Sequence, residues 1–212
     1  AIVVVLYFLR MRRSEKGTAP KWCAILAIVV SLALPFATGD SYLMIAIPVW
    51  DTMLLPLYYV VATVMLGGLA AMIIAGATKA ADAVKLSATV AFIGAVVCAI
   101  VSIIYAVAIS GMGSNYTEMQ YYFDPTLPDV AMVDRASIVG SIFAGANAVM
   151  FWLGTVAVGL VSPLVLTGLA KKVETGKKLA AYAGVALACV AVGGLCWRVI
   201  LYVVAISIFA LY

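Results

Sequence analysis

The chain has 212 residues, of which 67% are hydrophobic and only 10% are charged, and its net charge is +4. Soluble domains are about half apolar and about a quarter charged, so this composition excludes a water-soluble globular domain. It predicts a single integral membrane domain over residues 1–212. The chain contains no histidine, which excludes a His-ligated haem.

Apolar runs of helical length follow one another along the chain. A spanning helix needs about 20 residues, and its backbone groups must be satisfied within the segment. The run 1–9 is shorter than this, so we expect it to be the end of a helix that begins upstream and the domain to be N-terminally incomplete. Five complete helices are predicted within 22–38, 52–78, 86–110, 137–170 and 179–212. The fold class is therefore all-α, a polytopic transmembrane bundle of five complete helices plus a partial first helix.

The basic residues are concentrated in three alternate loops. These loops contain 11 of the 13 basic residues: Arg10, Arg12, Arg13, Lys16 and Lys21, then Lys79 and Lys85, then Lys171, Lys172, Lys177 and Lys178. The positive-inside rule predicts that these loops are cytoplasmic and that the C-terminus lies outside. The net positive charge then results from the basic cytoplasmic loops of a multi-pass membrane protein. No nucleic-acid partner is needed to explain it.

The outer connection 111–136 is the longest and most aromatic loop. It is either a docking surface or lid, or part of an interfacial aromatic belt.

Small residues in the later helices suggest close helix contacts. Gly140 with Ala144, Ser141 with Gly145, and Gly184 with Ala188 have the spacing that lets helices approach closely. Asn147 is predicted near mid-membrane, where its amide would bond to another helix.

Arg198 is the only basic residue with apolar helix on both sides. Counted from Lys178, it lies near the outer boundary of the membrane. Three interpretations are open: a functional cation, a side chain that extends to the interface, and a structural ion pair. Asp51 is the plainest potential partner, with Asp40 and Asp129 as alternatives.

No catalytic motif is visible. Without histidine there is no nucleophile–His pair, and the glycine pairs 67–68 and 193–194 lie in apolar helices without the lysine of a phosphate loop. Catalysis by this chain alone is not expected.

A dispersed set of residues resembles the membrane anchor subunit of the bacterial dimethyl sulfoxide reductase family, which is similar to the membrane subunit of polysulfide reductases. The set is Tyr42, Pro48, Trp50 and Pro56, then Leu127-Pro128-Asp129 followed by Arg135, then Arg198 with Leu201-Tyr202. Two positions depart from the family pattern, since Trp197 replaces a glycine and Asp40 stands where an arginine is expected.

The resemblance implies a function in anaerobic respiration. Members of this family have eight helices, of which this chain would correspond to helices three to eight, in the bacterial cytoplasmic membrane. They oxidise menaquinol, with no covalently bound cofactor, and pass electrons to an iron–sulfur subunit that feeds a molybdopterin catalytic subunit. A His and a Glu of the family's quinol site would fall upstream of Ala1. By position, the remaining quinol-binding candidates are Arg198, Trp50, Asp51 and Tyr202.

Two alternatives remain at this point. A secondary transporter would favour inverted repeats with broken helices in matching halves. A purely structural anchor would bind its partner without a quinone site.

Overall fold

The structure is a computed structural model that describes residues 2–14, 20–78, 80–115, 135–173 and 176–207. These residues form helices joined by turns, with no strand among them. The α-helices are α1 (Ile2–Arg13), α2 (Lys21–Asp40), α3 (Leu54–Thr78), α4 (Ala81–Gly111), α5 (Arg135–Gly140), α6 (Ser162–Ala170) and α7 (Lys177–Val203). A 3₁₀ turn covers Gly145–Asn147, and a π-helix covers Met150–Val161 and continues into α6.

Five helices in the described part of the chain are long and apolar enough to cross a membrane. They are α2, α3, α4, α7 and the continuous helix Met150–Ala170 formed by the π-helix and α6. For the described residues, the prediction of an all-α fold with five helices long and apolar enough to span a membrane is confirmed. Their correspondence with helices three to eight of the anchor family stays a prediction.

The predicted single helix over 137–170 is wrong. Helix α5 ends at Gly140, residues 141–144 form a turn, and Gly145 adopts the left-handed φ of +69°. That backbone conformation is open to glycine at little cost and ends a right-handed helix. The spanning helix therefore starts only at Met150.

This break changes the interpretation of Asn147. Its amide Nδ2 donates to Ser141 Oγ at 3.1 Å, within the same connection and ahead of the spanning helix. The predicted mid-membrane position and interhelical bond of Asn147 are both wrong. Likewise, a Cβ added at Gly140 or Gly184 would meet nothing within 4 Å, so these glycines do not mark close helix contacts.

The close helix contacts occur at other glycines. A Cβ at Gly68 would lie 2.6 Å from the Ala91 nitrogen, and one at Gly94 would lie 2.8 Å from the Met65 backbone, so α3 and α4 are packed almost backbone to backbone. Gly159 of the π-helix and Gly193 of α7 also meet backbone to backbone. Such contacts need residues without side chains at the crossing point.

Helices α3, α4, α6 and α7 surround the main apolar core. Its fully buried members include Leu69, Met72, Ala91, Leu179 and Ala183. A second buried cluster lies at the other end of the bundle, around Tyr105, Phe151 and Trp197. Helix α2 packs on the outside of α3, where Gly39 abuts Pro56.

The connection 41–53 folds over this second cluster. Val49 is completely buried, and its carbonyl accepts a hydrogen bond of 2.9 Å from the Tyr105 hydroxyl. Trp50 Nε1 donates to the carbonyl of Leu201 in α7 at 3.3 Å. These bonds fix the turn against α4 and α7, and so position the aromatic residues that precede α3.

Candidate functional site

One cation and four aromatic side chains meet where the turn 41–53, α3 and α7 converge. We call this group the arginine–tyrosine cluster; it consists of Arg198, Tyr42, Tyr59, Tyr202 and Trp50. Arg198 is half-buried, and Tyr202 is 52% exposed at the edge of the cluster. The cluster therefore lies at the boundary between the packed bundle and its surroundings.

The guanidinium of Arg198 is held by two phenols. Its Nη1 donates to the Tyr59 hydroxyl and its Nη2 donates to the Tyr42 hydroxyl, each at 2.6 Å. A guanidinium has five N–H donors; the Tyr202 hydroxyl also interacts with this one, and N–H groups still remain for another acceptor. The tyrosine oxygens carry no formal charge, and Arg198 remains a net positive charge.

The surrounding rings are arranged around the cation. The Tyr42 and Tyr59 rings stack with centroids 6.2 Å apart and an angle of 10° between their planes. Arg198 Cζ lies 5.5 Å from the Tyr42 centroid, 5.7 Å from that of Tyr59 and 5.8 Å from that of Tyr202. These distances fall within the range of cation–π attraction, which further stabilises the charge. The space enclosed within the cluster is about 20 Å³, enough for a water molecule and too small for an organic ring.

A much larger cavity of about 500 Å³ begins beside the cluster. It lies between α3, α4, the π-helix and α7, and its size is in the range of small-molecule sites. Its wall is mainly apolar, with Arg198 and Tyr59 on its lining. The cavity is therefore large enough for a ring-shaped ligand, with the Arg198 cation next to it.

Two buried donors on residues of the cavity wall make no hydrogen bond of ordinary geometry among the described residues, although the Ser102 side chain interacts with that of Cys98. They are the Ser102 hydroxyl on α4 and the Trp197 indole N–H on α7, whose residues are 2% and 1% exposed. A third hydroxyl, that of Thr155, reaches the Met150 carbonyl only at 3.5 Å, the limit of a hydrogen bond. The wall is thus apolar overall, and the Ser102 and Trp197 donors are almost inaccessible from the cavity.

The cavity opens sideways between α3 and α7. Leu66 on α3 and Leu195 on α7 line it and are also exposed on the outer surface of the bundle, 37% and 67% respectively. In a membrane-spanning helix, such residues face lipid or another helix. The cavity can therefore be reached from the outer surface of the bundle between these two helices.

No protein-family model, curated protein or solved structure matches this chain.

The structure brings together three of the four predicted site residues. Arg198, Trp50 and Tyr202 belong to the cluster, and the Trp50 and Tyr202 rings pack edge to face with centroids 5.4 Å apart. Asp51 follows Trp50 but is exposed, and none of the hydrogen bonds described for Arg198 reaches it. The expected Asp51–Arg198 ion pair is not found among the described residues. Asp129, with residues 116–134 of the long outer loop, lies outside the described part.

Sequence reasoning missed the residues that hold the cation and those that line the cavity. Tyr59 and Ser102 are single polar groups in apolar helices, where a hydroxyl must find a partner or remain unsatisfied. That requirement was a usable signal for Tyr59, but the identity of its partner was not, since Arg198 is 139 residues away. Among the described residues, no group of three or more Cys, Asp or Glu side chains is arranged to hold a metal ion.

Proposed function

We propose that this chain is a membrane anchor that binds and oxidises a quinol for a molybdopterin oxidoreductase of the dimethyl sulfoxide reductase type. The observation that supports this proposal best is the cavity of about 500 Å³ beside Arg198, which opens between α3 and α7. A quinol has an apolar ring with two polar oxygens and a long apolar tail. Such a molecule matches the cavity in size, in polarity and in its route of entry.

The chemistry assigned to the site is proton and electron release. A quinol becomes a quinone by losing two electrons and two protons. Arg198 is the group that holds a ring oxygen, because its remaining N–H donors are charged and hold developing negative charge strongly. The two protons pass to water at the exposed edge of the cluster, where Tyr202 lies, and the two electrons pass to an iron–sulfur subunit docked on the same end.

The transporter alternative gains one feature, the interrupted helix between Gly140 and Met150. Carriers typically interrupt their helices near mid-membrane at the binding site, whereas this interruption precedes the spanning helix. A purely structural anchor would explain the bonds that Arg198 makes to Tyr42 and Tyr59, but it does not account for the large cavity beside them. We therefore favour the quinol-binding anchor, in the bacterial cytoplasmic membrane, over both.

The test separates quinol-driven electron transfer from assembly. In Arg198→Leu, we expect the quinol-driven rate of the complex to fall about 10- to 100-fold, the scale of one lost hydrogen bond to a charged group. Activity with an artificial dye that reduces the catalytic subunit directly should be retained. Lys172→Leu removes an equal charge from an exposed position at the other end of the bundle and should leave both activities unchanged.

Two other results would contradict the proposal. If both activities of Arg198→Leu fall together with the amount of assembled complex, Arg198 has a structural role. If a normally assembled Arg198→Leu complex turns over quinol at the wild-type rate, the cluster has no part in the reaction.

A further inference from the structure

A second cavity lies between α1 and α2 and shares no lining residue with the arginine–tyrosine cluster. Its volume is about 260 Å³, and its lining includes three residues of α1 and three of α2: Leu6, Tyr7 and Arg10, then Trp22, Cys23 and Leu26. Cys23 is 4% exposed, whereas Leu6 and Trp22 remain 52% and 58% exposed. The cavity is therefore a cleft with a buried floor and an open rim, which we call the α1–α2 cleft.

The α1–α2 cleft is charged at one end and apolar along the rest of its length. Arg10 lies in the last turn of α1 and Trp22 in the first turn of α2, so both mark the end nearest the connection between the two helices. Leu6 and Leu26 lie one helical turn further from this connection. A ligand that matches this cleft has an anionic head at Arg10 and an apolar chain beside the two leucines.

The charge around this end of the chain is strongly positive. Residues 1–39 contain five basic side chains and one acidic side chain, Glu15, which lies outside the described part. Their excess of positive charge equals the net charge of the whole chain, +4. The positive-inside rule predicts that this end is cytoplasmic, and basic pockets between membrane helices on that side are suited to anionic lipid headgroups.

The residue types at the charged end suit a phosphate group at a membrane surface. The Arg10 guanidinium presents a planar fork of N–H donors that can bond to two phosphate oxygens. Tyr7 and Trp22 combine an apolar ring with a polar edge, and such side chains concentrate at the level of the lipid headgroups. A free phosphate would use Arg10 alone, whereas a phospholipid also covers the exposed apolar walls of the cleft.

We infer that the α1–α2 cleft binds one anionic phospholipid, with its headgroup phosphate on Arg10 and an acyl chain between Leu6 and Leu26. The inference is independent of the proposed function, because this cleft and the large cavity beside Arg198 have no lining residue in common. The bound lipid stabilises the contact of α1 with α2, since it covers apolar surface on both helices.

Native mass spectrometry of the full chain in a mild detergent tests this binding. The probes are phosphatidylglycerol and phosphatidylcholine with identical acyl chains, and we expect the wild type to bind one phosphatidylglycerol in preference to phosphatidylcholine. Arg10→Gln should weaken the binding of phosphatidylglycerol about 5- to 10-fold, the scale of one cation at a lipid surface. Leu26→Trp fills the apolar part of the cleft and should also weaken it.

Two control variants match these changes. Arg12 is exposed on the same helix and does not line the cleft, because positions two residues apart lie on different helix faces. Ile25 is 62% exposed on α2 and also lies outside the cleft. Arg12→Gln and Ile25→Trp remove the same charge and add the same bulk nearby, and both should bind phosphatidylglycerol about as the wild type does.

Four results would overturn the inference. Equal losses in Arg10→Gln and Arg12→Gln would mean that diffuse attraction retains the lipid, without a site in the cleft. Equal binding of phosphatidylcholine by the wild type would remove the requirement for an anionic lipid. Displacement of the lipid by glycerol 3-phosphate would show that the site takes a phosphate group without a chain. A crosslink from Leu26→Cys to another protein would place a protein segment in the cleft.

Discussion

Arg198 is accommodated in a mainly apolar helix by neutral partners. Intramembrane cations commonly pair with a carboxylate, which cancels their charge. Here two phenol oxygens accept its hydrogen bonds and three rings lie within 6 Å of its Cζ atom. The charge is stabilised without being cancelled, so it remains able to attract electron-rich oxygen on a ligand.

The contribution of each phenol can be measured separately. Tyr42→Phe and Tyr59→Phe each remove one hydroxyl that bonds to Arg198 and keep the ring. We expect each change to lower the free energy of unfolding by about 1–2 kcal/mol, since the bonds are charge-assisted but the site is half-buried.

A double-mutant cycle between Tyr59→Phe and Arg198→Leu, followed by denaturant unfolding in detergent, isolates the pairwise energy. Additive losses would mean that the bond seen between these two residues contributes nothing to stability.

At the scale of the helices, the shape of the cavity depends on the place where the π-helix crosses α7, because glycines there let the two backbones touch. The π-helix touches α7 at Gly159 and Gly193, and a Cβ at Gly154 would lie 2.5 Å from Cys196 Sγ. A π-helix is wider than an α-helix, and π-helical turns are frequently found at functional sites. The π-helix and α7 are in close contact at Gly159 and Gly193. Next to this crossing, the space between α3, α4 and α7 stays open and forms the cavity.

Substitutions on one helix can test this crossing. A Cβ at Gly193 would lie 2.6 Å from the Gly159 nitrogen, so Gly193→Ala must push α7 away from the π-helix. We expect it to lower the free energy of unfolding by about 1–3 kcal/mol, the usual cost of overpacking.

Gly184→Ala provides the matched control on the same helix, because a Cβ there meets nothing within 4 Å. It should be neutral or slightly stabilising, since alanine has the higher helix propensity. Equal thermal stability of both variants would show that the crossing tolerates a methyl group.

At the scale of the whole molecule, the two ends of the bundle differ in chemistry. Gly76 near the end of α3 lies against Ala180 near the start of α7, which brings two of the lysine-containing connections to one end. There Lys171 Nζ lies 3.9 Å from the centroid of the Phe92 ring. The arginine–tyrosine cluster occupies the other end. The positive-inside rule predicts that the cluster lies at the outer boundary of the membrane.

Cysteine labelling tests this orientation. With a membrane-impermeant thiol reagent on intact cells, Asp51→Cys should react, and Lys172→Cys should react only after the membrane is permeabilised. Both positions are exposed in the structure. The wild-type chain controls for its own cysteines, of which Cys23 and Cys98 are buried. Reaction of Lys172→Cys with protection of Asp51→Cys would reverse the topology.

The sequence by itself determined the helical class, the five helices long and apolar enough to span a membrane, and the concentration of basic residues in alternate loops. Each of these follows from local properties. A run of about 20 apolar residues in hydrocarbon has to satisfy its own backbone, and helix formation does this within the segment. The same local reasoning marked Arg198 as exceptional, since it needed only the residues on either side.

Only the tertiary structure decided what Arg198 contacts and where a ligand fits. Its partners Tyr59 and Tyr42 are 139 and 156 residues away in the chain. From charge alone, Asp51 was the more obvious partner to predict. The break before Met150 was also missed, because its residues are as apolar as a helix and only the backbone of Gly145 reveals the turn. Composition and spacing show which side chains are costly to bury. Which of these side chains come into contact is fixed by how the helices cross. The crossing depends on packing between segments that are distant in sequence, so it cannot be deduced from local patterns.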